Sequence, residues 1–221
     1  MDGRYAHLSA AHPDFVPNDP SHVGEAYNPL RLLPLTMAVA PIRFDPERAL
    51  ELVLYVANQL RYPTLHSVSK VLYFADKEHL SRYGSLLSGD NYVAMRHGPV
   101  PSAIYNLLKA AAGRQEPLIP LQFYELVGES LKVEGQSRVQ PLRPANLELL
   151  SASQRECLDV SIKVNGRLSF TRLTAKSRDA AWKAVDENDL IEVKAIAKTL
   201  PNARQVLAYR KARWTQRHYC R

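Results

Sequence analysis

The spacing of apolar residues predicts a helix that begins just after Asp45. An aspartate can cap the free amide groups at the start of a helix, and the proline that follows it suits the first helical turn. The helix must end before Pro63, because the residue before a proline avoids the helical region. Between these limits the apolar positions fall on one helical stripe: Leu50, Val53, Leu54, Ala57 and Leu60.

A second and longer helix is predicted over residues 65–82. Gly84 follows it and favours a left-handed C-terminal stop. One side of this helix is apolar, and we interpret the other side as a solvated face because it is rich in charge. The residues assigned to that solvated face are Lys70, Asp76, Lys77, Glu78 and His79.

The next stretch predicts short elements separated by turns. Residues 88–90 indicate a turn, residues 91–95 a short strand, and the His-Gly-Pro sequence at 97–99 a break in that strand. Pro101 then opens a third helix that continues to about residue 112. Residues 122–127 and 130–133 flank a Gly-Glu pair and predict a β-hairpin.

Helical signals return in the C-terminal half of the chain. Ser151 and Gln154 form a capping-box pattern that opens a helix ending near Gly166. Ser169 is a second candidate cap, and residues 187–199 show amphipathic helical spacing. The predicted fold is mainly α (α+β): a compact helical domain with a small antiparallel β-hairpin or sheet.

Composition divides the chain into three predicted regions. Residues 1–42 are rich in proline and are predicted to be a disordered leader, of which residues 1–36 could precede a native start at Met37. Residues 43–200 form the predicted domain. Residues 201–221 form a basic C-terminal tail.

Overall composition is that of an ordinary soluble protein. Apolar residues make up 46% of the 221 positions, and the mean hydropathy is −0.28. We expect neither a signal peptide nor a membrane span, since no apolar run is long enough. Two cysteines, Cys157 and Cys220, are too few for a disulfide framework, so the expected location is the cytoplasm.

The formal charge of +7 is concentrated at the C-terminal end. Eight lysines and arginines and no acidic residue lie after position 192, which leaves the rest of the chain close to neutral. Aromatic residues interleave with these cations, an arrangement that can bind and stack on nucleic acid. The alternative is a solvated terminal helix or disordered end. The candidate nucleic-acid-binding residues are Arg210, Lys211, Arg213 and Arg217.

Candidate catalytic and metal-binding patterns are weak. The histidines His7, His12 and His22 lack the spacing of a rigid metal site, so no metal or other cofactor is expected. Cys157 faces inward on its helix and is predicted to be a buried, unreactive thiol. The chain lacks the common nucleophile, phosphate-loop and dinucleotide motifs, so we do not predict an enzyme.

The central stretch carries a family resemblance. YFADKEHLSRYG, followed by SGDNYVAMRHGPVPSAIYNLL, resembles the core signature of the SocA-like, or Panacea, antitoxin domain. FDPERALELVLYVANQL resembles the opening helix of that family, and the predicted hairpin, the capping-box helix and LSFTRLTAKSRDAAW correspond to its later segments. One departure is Arg178, which stands where the family often has a histidine after serine.

The resemblance implies an antitoxin of a toxin–antitoxin pair, often prophage-associated. Such a protein would neutralise a cognate toxin, encoded by the adjacent gene, through direct contact. Two alternatives stay open: an adaptor that delivers the toxin to a protease, and a nucleic-acid-binding regulator that acts through the basic tail. No membrane partner is expected. The residues predicted to contact the toxin are Lys77, His79, Tyr83, Arg96 and His97.

Overall fold

A computed structural model describes residues 44–116 and 119–219 of the chain, without the side chains of residues 121–122 and 213–219. The predicted leader and its histidines lie outside the described residues. The helices are α1 (Pro46–Gln59), α2 (Leu65–Tyr83), α3 (Ser102–Ala111), α4 (Leu121–Ser130), α5 (Ala152–Asn165), α6 (Phe170–Ser177), α7 (Val193–Lys198) and α8 (Ala203–Tyr219). The strands are β1 (Tyr92–Met95), β2 (Gly98–Pro101), β3 (Leu131–Glu134), β4 (Arg138–Pro141) and β5 (Leu190–Ile191). The mainly helical fold with small antiparallel sheets is confirmed.

The first two helices begin and end where the sequence predicts. The Asp45 side chain accepts a hydrogen bond from the backbone three residues later, which caps α1. A capping box of Thr64 and Ser67 opens α2, and Gly84 ends it with a φ of 71°. The predicted caps Ser151 and Ser169 likewise start α5 and α6.

Helix α2 lies between two hydrophobic cores and contributes to both. One set of its apolar residues, including Val68 and Leu72, packs in a core shared with α1, α3, α4 and α5. Another set, including Tyr73 and Leu80, packs in a second core with β1, α7 and α8. Displacement of α2 would therefore expose apolar surface on both sides at once.

The larger sheet has three antiparallel strands in the order β2-β1-β5. Tyr92 of β1 lies opposite Pro101 of β2 on one side and Ile191 of β5 on the other. The predicted strand at 91–95 is confirmed. The predicted break at 97–99 is only a tight turn, because the chain reverses at Arg96 and His97 and Gly98 already begins β2.

The predicted hairpin at 122–127 and 130–133 is wrong, because its first half is helical. Phe123 and Val127 are four residues apart and are both buried in the first core, so a helix places them on one face. This packing outweighs the strand preference of aromatic and β-branched residues. A hairpin does occur one element later, where β3 pairs with β4.

The predicted helix at 187–199 is correct only for residues 193–198. Asn188 adopts a left-handed φ of 71°, which a continuous helix does not allow. The two residues of β5 then extend the larger sheet by pairing with β1, and α7 begins after Glu192. Strand pairing at the sheet edge therefore replaces the first half of the predicted helix.

The glycine of the HGPVP sequence is required by a close approach between the hairpin and two other elements. Gly98 has a φ of 98°, a conformation that other L residues rarely adopt. A Cβ atom built there would lie 2.5 Å from Ser177 Oγ on α6 and 3.2 Å from Lys70 Nζ on α2. Any side chain would push the hairpin away from both helices.

We predict that Gly98→Ala destabilises the protein much more than Gly135→Ala. Gly135 also has a positive φ, of 58°, but a Cβ atom there would meet nothing within 4 Å. Gly135→Ala should therefore cost only the backbone strain of about 1–2 kcal/mol, whereas Gly98→Ala should add an overpacking cost of roughly 1–3 kcal/mol. Urea unfolding of both variants measures the difference. Equal losses of unfolding free energy would show that the approach of Ser177 and Lys70 imposes no constraint.

Candidate partner-binding site

The carboxylate of Asp76 is a buried structural anchor rather than part of a solvated face. Asp76 is 0% exposed, which corrects the prediction from the charge pattern. It accepts hydrogen bonds from the backbone amides of Leu87 (2.5 Å) and Ser88 (3.1 Å), from Ser88 Oγ (2.5 Å) and from Tyr92 Oη (2.6 Å). Burial raises the pKa of Asp76, although these hydrogen bonds oppose the rise. The carboxylate thus fixes the segment after α2 and the start of β1.

The aspartate of the SGD sequence performs a second structural task. Asp90 accepts hydrogen bonds from the amides of Ala103 (3.0 Å) and Ile104 (2.9 Å), the first amides of α3 that lack a helical partner. Burial raises the pKa of Asp90 to about 6, against the lowering effect of these backbone hydrogen bonds. Asp90 therefore caps α3 from outside the helix.

Lys70 and His79, which were also assigned to the solvated face, are buried as well. Lys70 is 1% exposed and donates to the Pro99 carbonyl of β2 at 2.7 Å. Burial, and then the nearby charge of Arg178, lower the pKa of Lys70 well below its ordinary value. His79 lies 2.7 Å from the Ser85 carbonyl through Nδ1. The polar side of α2 is thus covered by the segment that follows it in sequence.

Residues 177–182 connect the hairpin turn to α2. Asp179 accepts hydrogen bonds from Tyr73 Oη (2.9 Å) and Lys77 Nζ (2.6 Å) on α2. Trp182 donates its ring N–H to the Met95 carbonyl of β1 at 3.0 Å. Arg178, the departure from the family pattern, donates to the Arg96 carbonyl, and its guanidinium lies 4.8 Å from the centre of the Trp182 ring.

The five residues predicted to contact a partner occupy two separate places. Tyr83 and His79 lie together at the C-terminal end of α2, with their ring centres 4.8 Å apart. Tyr83 is 40% exposed and its hydroxyl donates to Glu156 of α5 at 3.3 Å. Beside it, residues at the end of α2 and on α8, including Tyr209, line a groove of about 380 Å³.

The other three predicted contact residues lie around the β1–β2 turn. Arg96 is exposed at the turn, and His97 is half-buried with its ring edge against Phe170 of α6. Lys77 is half-buried in its ion pair with Asp179. His79 and His97 therefore contact different parts of the fold.

The candidate nucleic-acid residues belong to α8, which packs against the end of α2. Val206 is buried in the second core, and Arg210 is half-buried with its guanidinium donating to the Gly84 carbonyl at 3.0 Å. Lys211 is exposed. The side chains of Arg213 and Arg217 lie outside the described residues. One of the four candidate cations is thus used to hold α8 in place.

Cys157 is buried, as predicted, and burial raises the pKa of its thiol to about 11. The side chains given by the structure include no cluster of three or more potential metal ligands. None of the described helices combines the length and apolar character needed to cross a membrane.

Residues that the sequence pattern did not indicate complete the neighbourhood of the turn. His66 of α2 lies 3.0 Å from Thr174 Oγ1 through Nε2 and stacks 4.1 Å from the Phe170 ring. Burial, then the charges of Lys70 and His97, lower the pKa of His66 to about 3. Only the fold brings these residues together, because they come from α2, the β1–β2 turn and α6.

The lowered pKa of His66 predicts a specific acid sensitivity. Between about pH 6.5 and pH 3, His66 binds a proton in the unfolded state but not in the folded state. The free energy of unfolding therefore decreases as the pH is lowered through this range. Relative to His66→Gln, the wild-type protein should lose up to about 1.4 kcal/mol of unfolding free energy per pH unit in this range. The raised pKa of Asp90 has the opposite effect, because it increases the free energy of unfolding as the pH is lowered. Asp90 is present in both proteins, so its effect cancels in the comparison. Urea unfolding at several pH values checks this, and parallel pH curves would contradict it.

Comparison with known proteins gives one match. A family model described as Antitoxin SocA-like, Panacea domain matches residues 68–183, just over half of the chain. This segment contains both places described above and is narrower than the range 43–200 suggested by the resemblance. Neither the curated proteins nor the solved structures give a match. By the extent of the family match, the chain belongs to the antitoxin SocA-like, Panacea domain family.

Proposed function

We propose that this protein is an antitoxin that neutralises a cognate toxin by binding it directly. The observation that carries the proposal is the family match, which covers α2 from residue 68 onward, the hairpin and α6. The toxin is expected to be the product of the adjacent gene, as is usual for a two-gene pair.

The arrangement of the polar residues supports a binding role. Asp76, Asp90 and Lys70 are buried and hydrogen-bonded to backbone or hydroxyl groups, so they hold the shape of the unit. Arg96 and Tyr83 remain exposed beside them, and arginine and tyrosine are frequent anchors of protein interfaces. A rigid unit that presents such residues suits recognition of a folded protein partner.

The two places around Arg96 and Tyr83 give two candidate contact surfaces. Arg96 lies with Lys77 and His97 beside the β1–β2 turn, whereas Tyr83 lies with His79 at the end of α2. Their separation in the fold allows each to be tested by one substitution, without loss of the other.

We predict that at least one of the single substitutions Arg96→Ala and Tyr83→Ala abolishes protection against the toxin. The neighbouring gene is expressed from an inducible promoter, with and without this protein, and growth is followed. Growth should stop without the protein and resume with it. A hot-spot substitution should weaken binding by roughly 2 kcal/mol or more, enough to reduce rescue and co-purification.

Arg61→Ala and Tyr62→Ala are matched controls for these variants. Arg61 and Tyr62 are exposed, form their own cation–π pair at 5.2 Å, and lie outside the matched segment. Full rescue by all four variants would reject both surfaces. No growth arrest in either strain would reject the antitoxin function. A toxin whose abundance falls only when a protease is present would favour the adaptor mechanism over masking.

A further inference from the structure

Basic side chains of α2, of the β1–β2 turn and of the end of α6 lie in one region of the fold. Residues 161–183 contain six lysines and arginines and a single acidic residue, Asp179. The fold brings part of this basic segment beside the hairpin turn and α2. We define the cationic face as Lys77, Arg96, His97, Lys176 and Arg178.

The two cations of this face that come from residues 176–178 are held by neutral groups. Lys176 donates to the side-chain oxygen of Asn165 at 2.5 Å and lies 4.7 Å from the centre of the Phe74 ring. Arg178 donates to a backbone carbonyl and lies over the Trp182 ring. Aromatic faces and carbonyl oxygens fix the position of a cation but do not neutralise its charge. Both side chains are therefore positioned while their positive charge is retained.

Like charges crowd this region of the free protein. Lys77 contributes, after burial, to the lowered pKa of Lys176, and Arg178 contributes in the same way to that of Lys70. Lys77 is paired with Asp179, which offsets part of the positive charge. The Nε of Arg178 is buried and has no hydrogen-bond partner among the described residues. Like-charge crowding and an unpaired buried donor both oppose folding.

We propose that the cationic face binds the carboxylate side chains of an acidic segment on the toxin. This inference rests on the proposed antitoxin function and names the chemistry of the partner. A carboxylate placed against Arg178 and Lys176 would accept charge-assisted hydrogen bonds and offset the crowding of positive charge. Arg96 at the exposed turn would extend the contact outward.

Two features favour an acidic protein over a nucleic acid. Trp182 packs against Arg178 of the face, and both residues are of the types that anchor protein interfaces. Three acidic residues follow Lys183 in the sequence: Asp186, Glu187 and Asp189. These acids would repel a continuous phosphate backbone, whereas a protein can place its own basic residues opposite them.

The first test titrates the purified full chain with sodium poly-L-glutamate by calorimetry at low and physiological salt. The double variant Lys176→Gln/Arg178→Gln should bind about tenfold more weakly than wild type. The double variant Lys194→Gln/Lys198→Gln removes the same charge from exposed positions of α7 and should bind like wild type. Equal weakening by both doubles, or by neither, would overturn the proposal.

Two additions keep this titration decisive. The first is a variant for the case that loss of the hydrogen bond from Arg178 to the Arg96 carbonyl unfolds the protein. Arg96→Gln changes only an exposed side chain and should also weaken binding severalfold. An oligothymidylate is titrated in parallel. Tighter binding of the oligonucleotide than of poly-glutamate, lost in the Lys176/Arg178 double variant, would assign the face to nucleic acid and overturn the protein assignment.

The second test uses the product of the neighbouring gene. Where the wild-type protein rescues growth, the Lys176→Gln/Arg178→Gln variant should neither rescue nor co-purify the toxin, whereas the α7 double variant should do both. Rescue by every variant would leave the antitoxin function intact and overturn the role of the face. Absence of rescue by the wild type would reject the proposed function instead, and the poly-glutamate titration would then decide the face by itself.

Discussion

Two charged side chains buried in the middle of α2 hold the following segment against that helix. Asp76 binds residues 87–92 through four hydrogen bonds, and Lys70 binds Pro99 at the far strand of the hairpin. Displacement of the segment would remove the hydrogen-bond partners of both groups. It would be costly, because a buried charge without partners is unfavourable. The polar residues of α2 thus determine where the larger sheet lies, and the apolar residues of the same helix fill the two cores on either side.

This arrangement separates the residues that maintain the shape from those available to a partner. Gly98, Asp90 and Asp76 give the family signature its pattern, yet each is explained by a turn, a cap or an anchor within the chain. Arg96 stands at the tip of the hairpin that these residues position. A surface residue at such a tip can change without loss of the fold, so a common framework can present different contact residues to different partners.

Features set by contacts within one helical turn were predicted correctly from the sequence, whereas features set by contacts between distant residues were not. Caps at Asp45, Ser151 and Ser169 act within one turn, so the sequence located those helix starts. Residues 122–127 carry strand-forming side chains, but long-range burial of Phe123 and Val127 made them helical. Asp76 was misplaced because a charged residue in a charged run is usually solvated, and only the fold brings Ser88 and Tyr92 to it. The positions of Arg178 and Lys176 likewise depend on contacts between elements distant in sequence.

The same dependence on distant contacts links stability to recognition at the turn. Lys176 lies near the like charge of Lys77, and Lys70 lies near that of Arg178. Carbonyl groups and aromatic rings fix the geometry of Lys70, Lys176 and Arg178 but leave the repulsion between like charges in place. The free protein therefore carries this cost, and an anionic partner would relieve it on binding. A ligand that binds the folded state stabilises it by mass action. Toxin binding at this face would consequently tighten the contacts between α6, the hairpin and α2, so that the element that organises the fold would also be the one that responds to the partner.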